Sequence, residues 1–428
     1  MFSEFLYTDL VYSISESIDL VNPILANHHK LVAYISYSLG NQLGLTVYEQ
    51  LELEIAGSLH DVGGLTNIER LAPLEFDYED VNLHSEKGYI LLNKFAPFSN
   101  IAKIIRYHHH PLQHGKCVGI NGEKIPFRSH ILNLADRIAI LIKLGDRDIL
   151  NQVENILSII KTSDNSVFNP KIVKAFLELS CKDSFWLDMN YLDRPNYIKR
   201  NYNFNFLTIT ESEFENFMKV ISHIVDFKSR FTAAHSLTIA ACAESLASLI
   251  GFNEDEMKMI KYAGYIHDLG KLAIPTEILE KPTQLSKEEF SLMRTHSYHT
   301  NRILENVRGF DTIRQWGSMH HEKLNGRGYP YGFKDNEIPL GARIIAVADI
   351  FTALREKRPY RDPISESETI NILINMANSF EIDTRVVNVL KANFEKIDSI
   401  RDKSNKDAIY EYDKFNSEFI KNKSLRLG

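Results

Sequence analysis

Seven histidine and aspartate positions recur in the same order along this chain, and their spacing limits the fold more than any other feature. His28 is matched 207 positions later by His235, and His60-Asp61 by His267-Asp268 at the same offset. His84 and the pair His108-His109 reappear 212 positions on, as His296 and His320-His321, and Asp136 reappears 213 positions on, as Asp349. The offset drifts by six residues in two steps while residue type and order hold. Helix starts repeat with them. Thr46 with Glu49 maps at offset 207 onto Asn253 with Glu256, each reading as an N-cap with an acid three residues on. Each cap follows a Leu-Gly or Ile-Gly step and precedes a segment that ends in His-Asp. Chance pairing among sixteen histidines does not produce this order together with matching caps. The chain is an internal duplication of one module.

The module is helical. Downstream of Asn253, Ile260, Ala263 and His267 follow three- and four-residue steps, which puts His267 on a buried face. A second start falls at Ser286 with Glu289, and Phe290, Met293, His296, Thr300 and Ile303 are expected along one stripe beyond it. The segment GARIIAVADIFTALREK carries Asp349 on another apolar helix, and the Gly/Pro-rich stretch 325–341 reads as a loop with a short hairpin. The tail from about residue 400 is charged and helical in pattern. Alternating runs are few, so the expected class is all-α: two tandem helical bundles. Residues 193–206 are polar, contain Pro195 and lack periodicity. The boundary therefore falls near 185–205, with an N-terminal domain over 1–195 and a C-terminal one over 206–428.

Composition narrows the partners. With 49 basic against 56 acidic residues the net charge is −7, which leaves no basic excess for a long nucleic acid. A small anion held by a few local cations is not excluded. Cys117, Cys181 and Cys242 lie far apart and form no CxxC pair, which points to a reducing cytoplasm. The first ten residues carry acids where a signal peptide carries bases, and no apolar run approaches the ~20 residues of a membrane span. A cytoplasmic location, without a membrane partner, is expected.

Imidazoles and carboxylates delivered from several helices are ligands for divalent transition metals. An adjacent His-Asp pair can direct both side chains one way only at a helix end, which Gly270 supplies after His267-Asp268. An Asp bridging two metals about 3.5–4 Å apart suits phosphoryl chemistry, because such a pair polarises a phosphoryl oxygen and generates a hydroxide nucleophile. Lys271 stands where its charge can meet a phosphate in the transition state.

Three segments carry a family resemblance: HDLGK at 267–271, HHEKLNGRGYP at 320–330 and VADIFTALREKRPYR at 347–361. In this order they closely resemble the HD-GYP domain of bacterial cyclic-dinucleotide phosphodiesterases, over about residues 220–380. The N-terminal half resembles the HD fold more loosely. The resemblance implies that His235, His267, Asp268, His296, His320, His321 and Asp349 are metal ligands, that Asp268 and Lys271 are catalytic, and that Lys271 faces the phosphate. It makes Gly326–Pro330 the signature loop and Arg358 and Arg361 the cations that grip the substrate phosphates, a task suited to the guanidinium fork. Two departures matter. Some members carry Glu where Phe231 stands and hold a third metal with it, so two ions are expected here. Thr352 replaces the Asp usual in the family, which removes one support of the site.

The implied activity is metal-dependent hydrolysis of a cyclic dinucleotide, 3′,3′-cGAMP ahead of c-di-GMP. A metal-bridging hydroxide would attack one phosphorus, leaving a linear 5′-phosphorylated dinucleotide. Two divalent ions are implied as cofactors, iron or manganese before nickel or zinc, and a homodimer is left open. The N-terminal half keeps His28, His60, Asp61, His84, His108, His109 and Asp136 as a second metal set, but has Gly64 in place of Lys271 and no GYP in residues 111–126. It reads as a structural or regulatory module, with a phosphomonoesterase acting on the linear product as its alternative, and the rival reading of the whole chain is a dinucleotide- or metal-sensing receptor without turnover. His29, His110 and His114 are spares or supports beside ligand positions, His299 is rotated away from His296, and His223 is packed or exposed rather than functional.

Overall fold

In the computed structural model the described residues are 7–20, 27–64, 82–110, 119, 122–143, 149–163, 167–192, 210–228, 232–356 and 362–427. Helices make up nearly all of their regular structure, and no strand occurs among them. One isolated antiparallel bridge joins Asn325 to Lys334, inside the stretch read as loop and hairpin. The fold is all-α. The chain divides into two compact units, residues 1–13 with 208–414, and residues 14–207 with 415–428. The proposed linker, 193–206, lies outside the described residues. No helix among the described residues is long and apolar enough to cross a membrane.

The caps read from the sequence form. Thr46 accepts from the Glu49 backbone N–H while the Glu49 carboxylate accepts from Thr46, and Asn253 with Glu256 and Ser286 with Glu289 make the same reciprocal pair. Each of the two duplicated helices runs 13 residues from its cap, so the residue that follows it is a histidine in both halves. Val47–Leu59 hands over to His60, as Glu254–Ile266 hands over to His267.

The duplication is visible in the packing too. Helix His28–Gln42 packs on Val47–Leu59, and His235–Ile250 on Glu254–Ile266. At both crossings a glycine lets the backbones meet. A Cβ on Gly57 would lie 2.6 Å from Ala33 Cα, and one on Gly264 would lie 2.6 Å from Ala240 Cα. Both glycines and both alanines are related by the 207-residue offset. The expected result for Gly264→Ala is a loss of about 1–3 kcal/mol, since the helices must part to admit the methyl group. A denaturant titration with an unchanged midpoint would show that this crossing is looser than the 2.6 Å approach implies.

One expectation fails in its details. The stripe from Phe290 to Ile303 is not one helix but two, Lys287–Met293 and Thr295–Leu304, with Arg294 between them. His296, Thr300 and Ile303 are buried, whereas Phe290 is 49% exposed. The first helix buries none of its residues, and the Phe290 ring lies 6.5 Å from that of Tyr329 in the loop. Periodicity shows which residues share a face but not whether that face is buried along its whole length.

Candidate metal centre

In the C-terminal half six of the seven anticipated ligands stand at helix ends. His235 opens helix His235–Ile250, His267 and Asp268 follow Glu254–Ile266, and His296 lies in the first turn of Thr295–Leu304. His320 and His321 come just after Asp311–Ser318, and Asp349 projects from within Leu340–Arg355. Helix ends leave backbone carbonyls without helical partners, and three histidines use them. Nδ1 of His267 donates to the Gly264 carbonyl at 2.8 Å, that of His296 to Met293 at 2.7 Å and that of His320 to Gly317 at 2.6 Å. Each bond fixes the tautomer and turns the Nε2 lone pair inward, as metal-binding imidazoles require.

These atoms converge on Asp268. Its Oδ2 is 3.2 Å from His267 Nε2 and 3.5 Å from His235 Nε2, while Oδ1 is 3.4 Å from His296 Nε2 and 3.9 Å from His320 Nε2. Asp349 Oδ1 approaches His235 Nε2 at 3.4 Å. Two groups result, His235 with His267 and Asp268, and His296 with His320 and His321, each with donor atoms within 4.8 Å of one another. One carboxylate oxygen faces each group, the placement of a bridge.

The residues fit divalent cations on grounds internal to the structure. His296 Nε2 and His320 Nε2 lie 3.4 Å apart although both rings spend their N–H on the backbone. Two lone pairs so placed repel unless they share a cation. His267 Nε2 and Asp268 Oδ1 are buried and make no hydrogen bond, a costly state without a ligand. Burial pushes the His296 imidazole down to about 4, and burial with His321 beside it holds His320 well below the usual range, so both are neutral donors at neutral pH. Burial opposes ionisation of Asp268, but His267 and Lys271 outweigh it and hold the carboxyl well below the usual carboxylate range.

Lys271 sits one short turn past the pair and donates to Asp268 Oδ2. The chain can double back this tightly because Gly270 lies against the next ligand helix, where a Cβ would be 1.9 Å from the His296 carbonyl oxygen. Tyr329 of the signature loop packs against His321 in a tilted pair with ring centroids 4.8 Å apart, and the Arg294 guanidinium lies 4.9 Å from the Tyr329 ring centroid. Sequence reasoning passed over Glu322, which holds this loop: its carboxylate accepts from the backbone N–H of Tyr331 at 2.7 Å and of Phe333 at 3.1 Å. Its place directly after His320-His321 was the available signal. Thr352 is buried with its hydroxyl 3.9 Å from Cys242 Sγ, in the core. Arg358, Arg361 and Phe231 lie outside the described residues. His223 is buried and stacks on Phe227 at 4.6 Å, as a packed histidine.

The N-terminal half repeats the arrangement. Asp61 Oδ2 is 3.3 Å from His60 Nε2 and Oδ1 is 3.1 Å from His84 Nε2, while Asp136 Oδ1 is 3.2 Å from His28 Nε2. His60 and His108 donate Nδ1 to Gly57 and Ile105 carbonyls at 2.8 and 2.7 Å. His84 and His108 present Nε2 to each other at 3.5 Å, and His109 joins them with Asp61 in a group of four donors. Gly64 leaves the Asp61 carboxylate without a lysine, and Arg137 instead bonds the other carboxylate, Asp136, at 2.6 Å. The same number of carboxylates is kept and the cation has moved across the cluster.

Comparison with known proteins finds a match in each half. A family model described as HD domain matches residues 13–172 and again 219–386. The chain is 30% identical over 393 residues to the 3′3′-cGAMP-specific phosphodiesterase 1 of Vibrio cholerae, covering 90% of this chain and 91% of that protein. It is 31% identical over 204 residues to a cyclic di-GMP phosphodiesterase of Thermotoga maritima, covering 46% of this chain and 55% of that one. Among solved structures, a cyclic GMP-AMP specific phosphodiesterase from V. cholerae matches with a TM-score of 0.61 at 22% identity, over 91% of this chain and 97% of that one. At that identity the last match speaks for the fold alone.

Proposed function

This chain belongs to the HD domain family, through both of its halves, and on that premise we propose that it is a phosphodiesterase whose C-terminal half opens 3′,3′-cGAMP. It is a metal-dependent enzyme acting on cyclic dinucleotides. Water adds to one phosphorus, the bond to a ribose 3′ oxygen breaks, and a linear 5′-phosphorylated dinucleotide is released. The observation that carries the reading is Asp268, whose two oxygens face two separate groups of buried, inward-turned imidazoles. Two divalent ions held by His235, His267, Asp268, His296, His320, His321 and Asp349 would polarise the phosphoryl oxygen and acidify an attacking water.

The chain's own groups do the rest. Lys271 places a cation beside that centre, where charge accumulates on the phosphoryl oxygens, and Glu322 keeps Tyr329 and its loop over His321. Arg358 and Arg361 are proposed to hold the substrate phosphates. Iron or manganese is the proposed metal, ahead of nickel or zinc, all of which suit nitrogen and oxygen donors without thiolate. All proposed donors and Lys271 come from one half of one chain, so the reading needs no second copy of it. A reducing cytoplasm is the proposed compartment, which suits the free thiols of Cys181 and Cys242. The preference for 3′,3′-cGAMP rests on the relative that matches nine-tenths of the chain.

The test is turnover of 3′,3′-cGAMP and c-di-GMP by iron- and manganese-loaded protein, with products separated by chromatography. Faster consumption of 3′,3′-cGAMP with a linear product is expected. If both dinucleotides survive unchanged beside metal-replete protein, the enzyme reading fails, and a sensing role takes its place.

A further inference from the structure

We propose that the N-terminal cluster is a working metal site enlarged by one ligand, His29, which Asp19 orients toward the ion. The inference concerns the other half of the chain and does not depend on which dinucleotide is hydrolysed.

The offset of 207 that relates the two ligand sets also relates Asp19 to Asp226 and His29 to Ser236. In the C-terminal half this pair is closed on itself. Asp226 Oδ1 accepts from the Ser236 hydroxyl at 2.9 Å and Oδ2 from the Ser236 backbone N–H at 3.0 Å, so the hydroxyl is spent on the carboxylate and Ser236 has no second donor atom to extend beyond it. In the N-terminal half an imidazole stands where the hydroxyl was. His29 Nδ1 bonds Asp19 Oδ1, and the longer ring carries a second nitrogen past the carboxylate.

With Nδ1 spent on Asp19, that second nitrogen is the one left to serve the cluster. His29 is 0% exposed, its Nε2 makes no hydrogen bond, and a ring nitrogen of His29 falls within 4.8 Å of donor atoms of both His60 and Asp61. Its ring centroid lies 5.0 Å from that of His60 and 5.5 Å from that of His28. If the histidine served only to pack the core, this nitrogen would be expected to have a polar neighbour, because a buried acceptor left unsatisfied is destabilising. A carboxylate on one ring nitrogen and a ligand on the other is instead the arrangement by which proteins orient metal-binding histidines. The neighbouring atoms say the same: His60 Nε2, Asp61 Oδ1 and His109 Nε2 are also buried without hydrogen bonds.

The donor set therefore holds six imidazoles, His28, His29, His60, His84, His108 and His109, with the carboxylates Asp61 and Asp136. A set this rich in imidazole favours zinc, iron, cobalt or nickel over manganese or magnesium. With Gly64 in place of lysine, the site holds metal without the cation that the C-terminal centre places beside its bridging Asp.

The experiment uses full-length protein stripped by chelator and reloaded with Co(II). Anomalous diffraction at the cobalt edge is expected to show a peak in the N-terminal half at about 2.0–2.2 Å from His29 Nε2. In a full-length His267→Ala/Asp268→Ala background, whose remaining cobalt reports the N-terminal half, His29→Ser is expected to weaken cobalt binding about 10-fold or more. Asp19→Asn, which leaves the imidazole in place but loosens its orientation, is expected to weaken it by about 10–100-fold. A peak beyond bonding distance of His29, no peak in that half, or unchanged affinity in His29→Ser overturns the proposal. The diffraction result stands even where a variant does not fold.

Discussion

Asp268→Asn is expected to lower hydrolysis by about 10³-fold or more and to release metal from the C-terminal half, more than any other single conservative change. The substitution keeps the shape of the side chain and removes one oxygen ligand and the negative charge. Both losses fall at the point where two groups of imidazoles meet, since Oδ1 faces His296 and His320 while Oδ2 faces His235 and His267. An amide presents one lone-pair oxygen and one N–H group, and the N–H group would point at donor atoms that need a cation. Elemental analysis and turnover are measured on the same preparation, with circular dichroism as the control for folding. The matching Asp61→Asn measures how much turnover the N-terminal half supplies, and the reading requires the larger loss at Asp268. If Asp268→Asn keeps its metal and most of its rate, Asp268 is not a bridge.

The centre was legible in the sequence because duplication preserved the polar positions and the helix starts together. Thr46 and Asn253 cap their helices as read, so the lengths of Val47–Leu59 and Glu254–Ile266 carry His60 and His267 to equivalent ends. What sequence did not show was direction. Adjacent residues on a helix diverge by about 100°, so His29 beside His28 reads as a spare. Only the structure shows that Asp19 takes its near nitrogen and leaves the far one buried without a hydrogen bond. The signal was nonetheless present, because Asp19 and Asp226 keep the 207 offset while the residue facing them changes from His29 to Ser236. The break at Arg294 was hidden for a different reason. Phe290 shares its spacing with buried residues, yet the short helix that carries it buries none of its residues.

Lys271 is the residue that most separates the two halves, and Lys271→Met is expected to reduce kcat by about 10²–10³-fold, the usual cost of removing one group that stabilises transition-state charge. Methionine keeps the length and apolar stem, so the effect isolates the ammonium. In the structure that ammonium bonds Asp268 Oδ2 and remains partly accessible, with a side-chain exposure of 19%. An ion pair that merely held Asp268 in place would show its loss as released metal and a lower melting temperature. A charge acting on the phosphoryl group leaves metal content intact, lowers kcat more than it raises KM, and is partly restored in Lys271→Arg. The N-terminal half shows that the cluster persists with Gly64 at this position, with His60, Asp61 and His84 still converging, which argues against an architectural role. Measuring kcat, KM and metal content of both variants decides between the two. A metal-replete Lys271→Met enzyme with kcat near that of the parent would remove Lys271 from the chemistry and leave the difference between the halves to the signature loop.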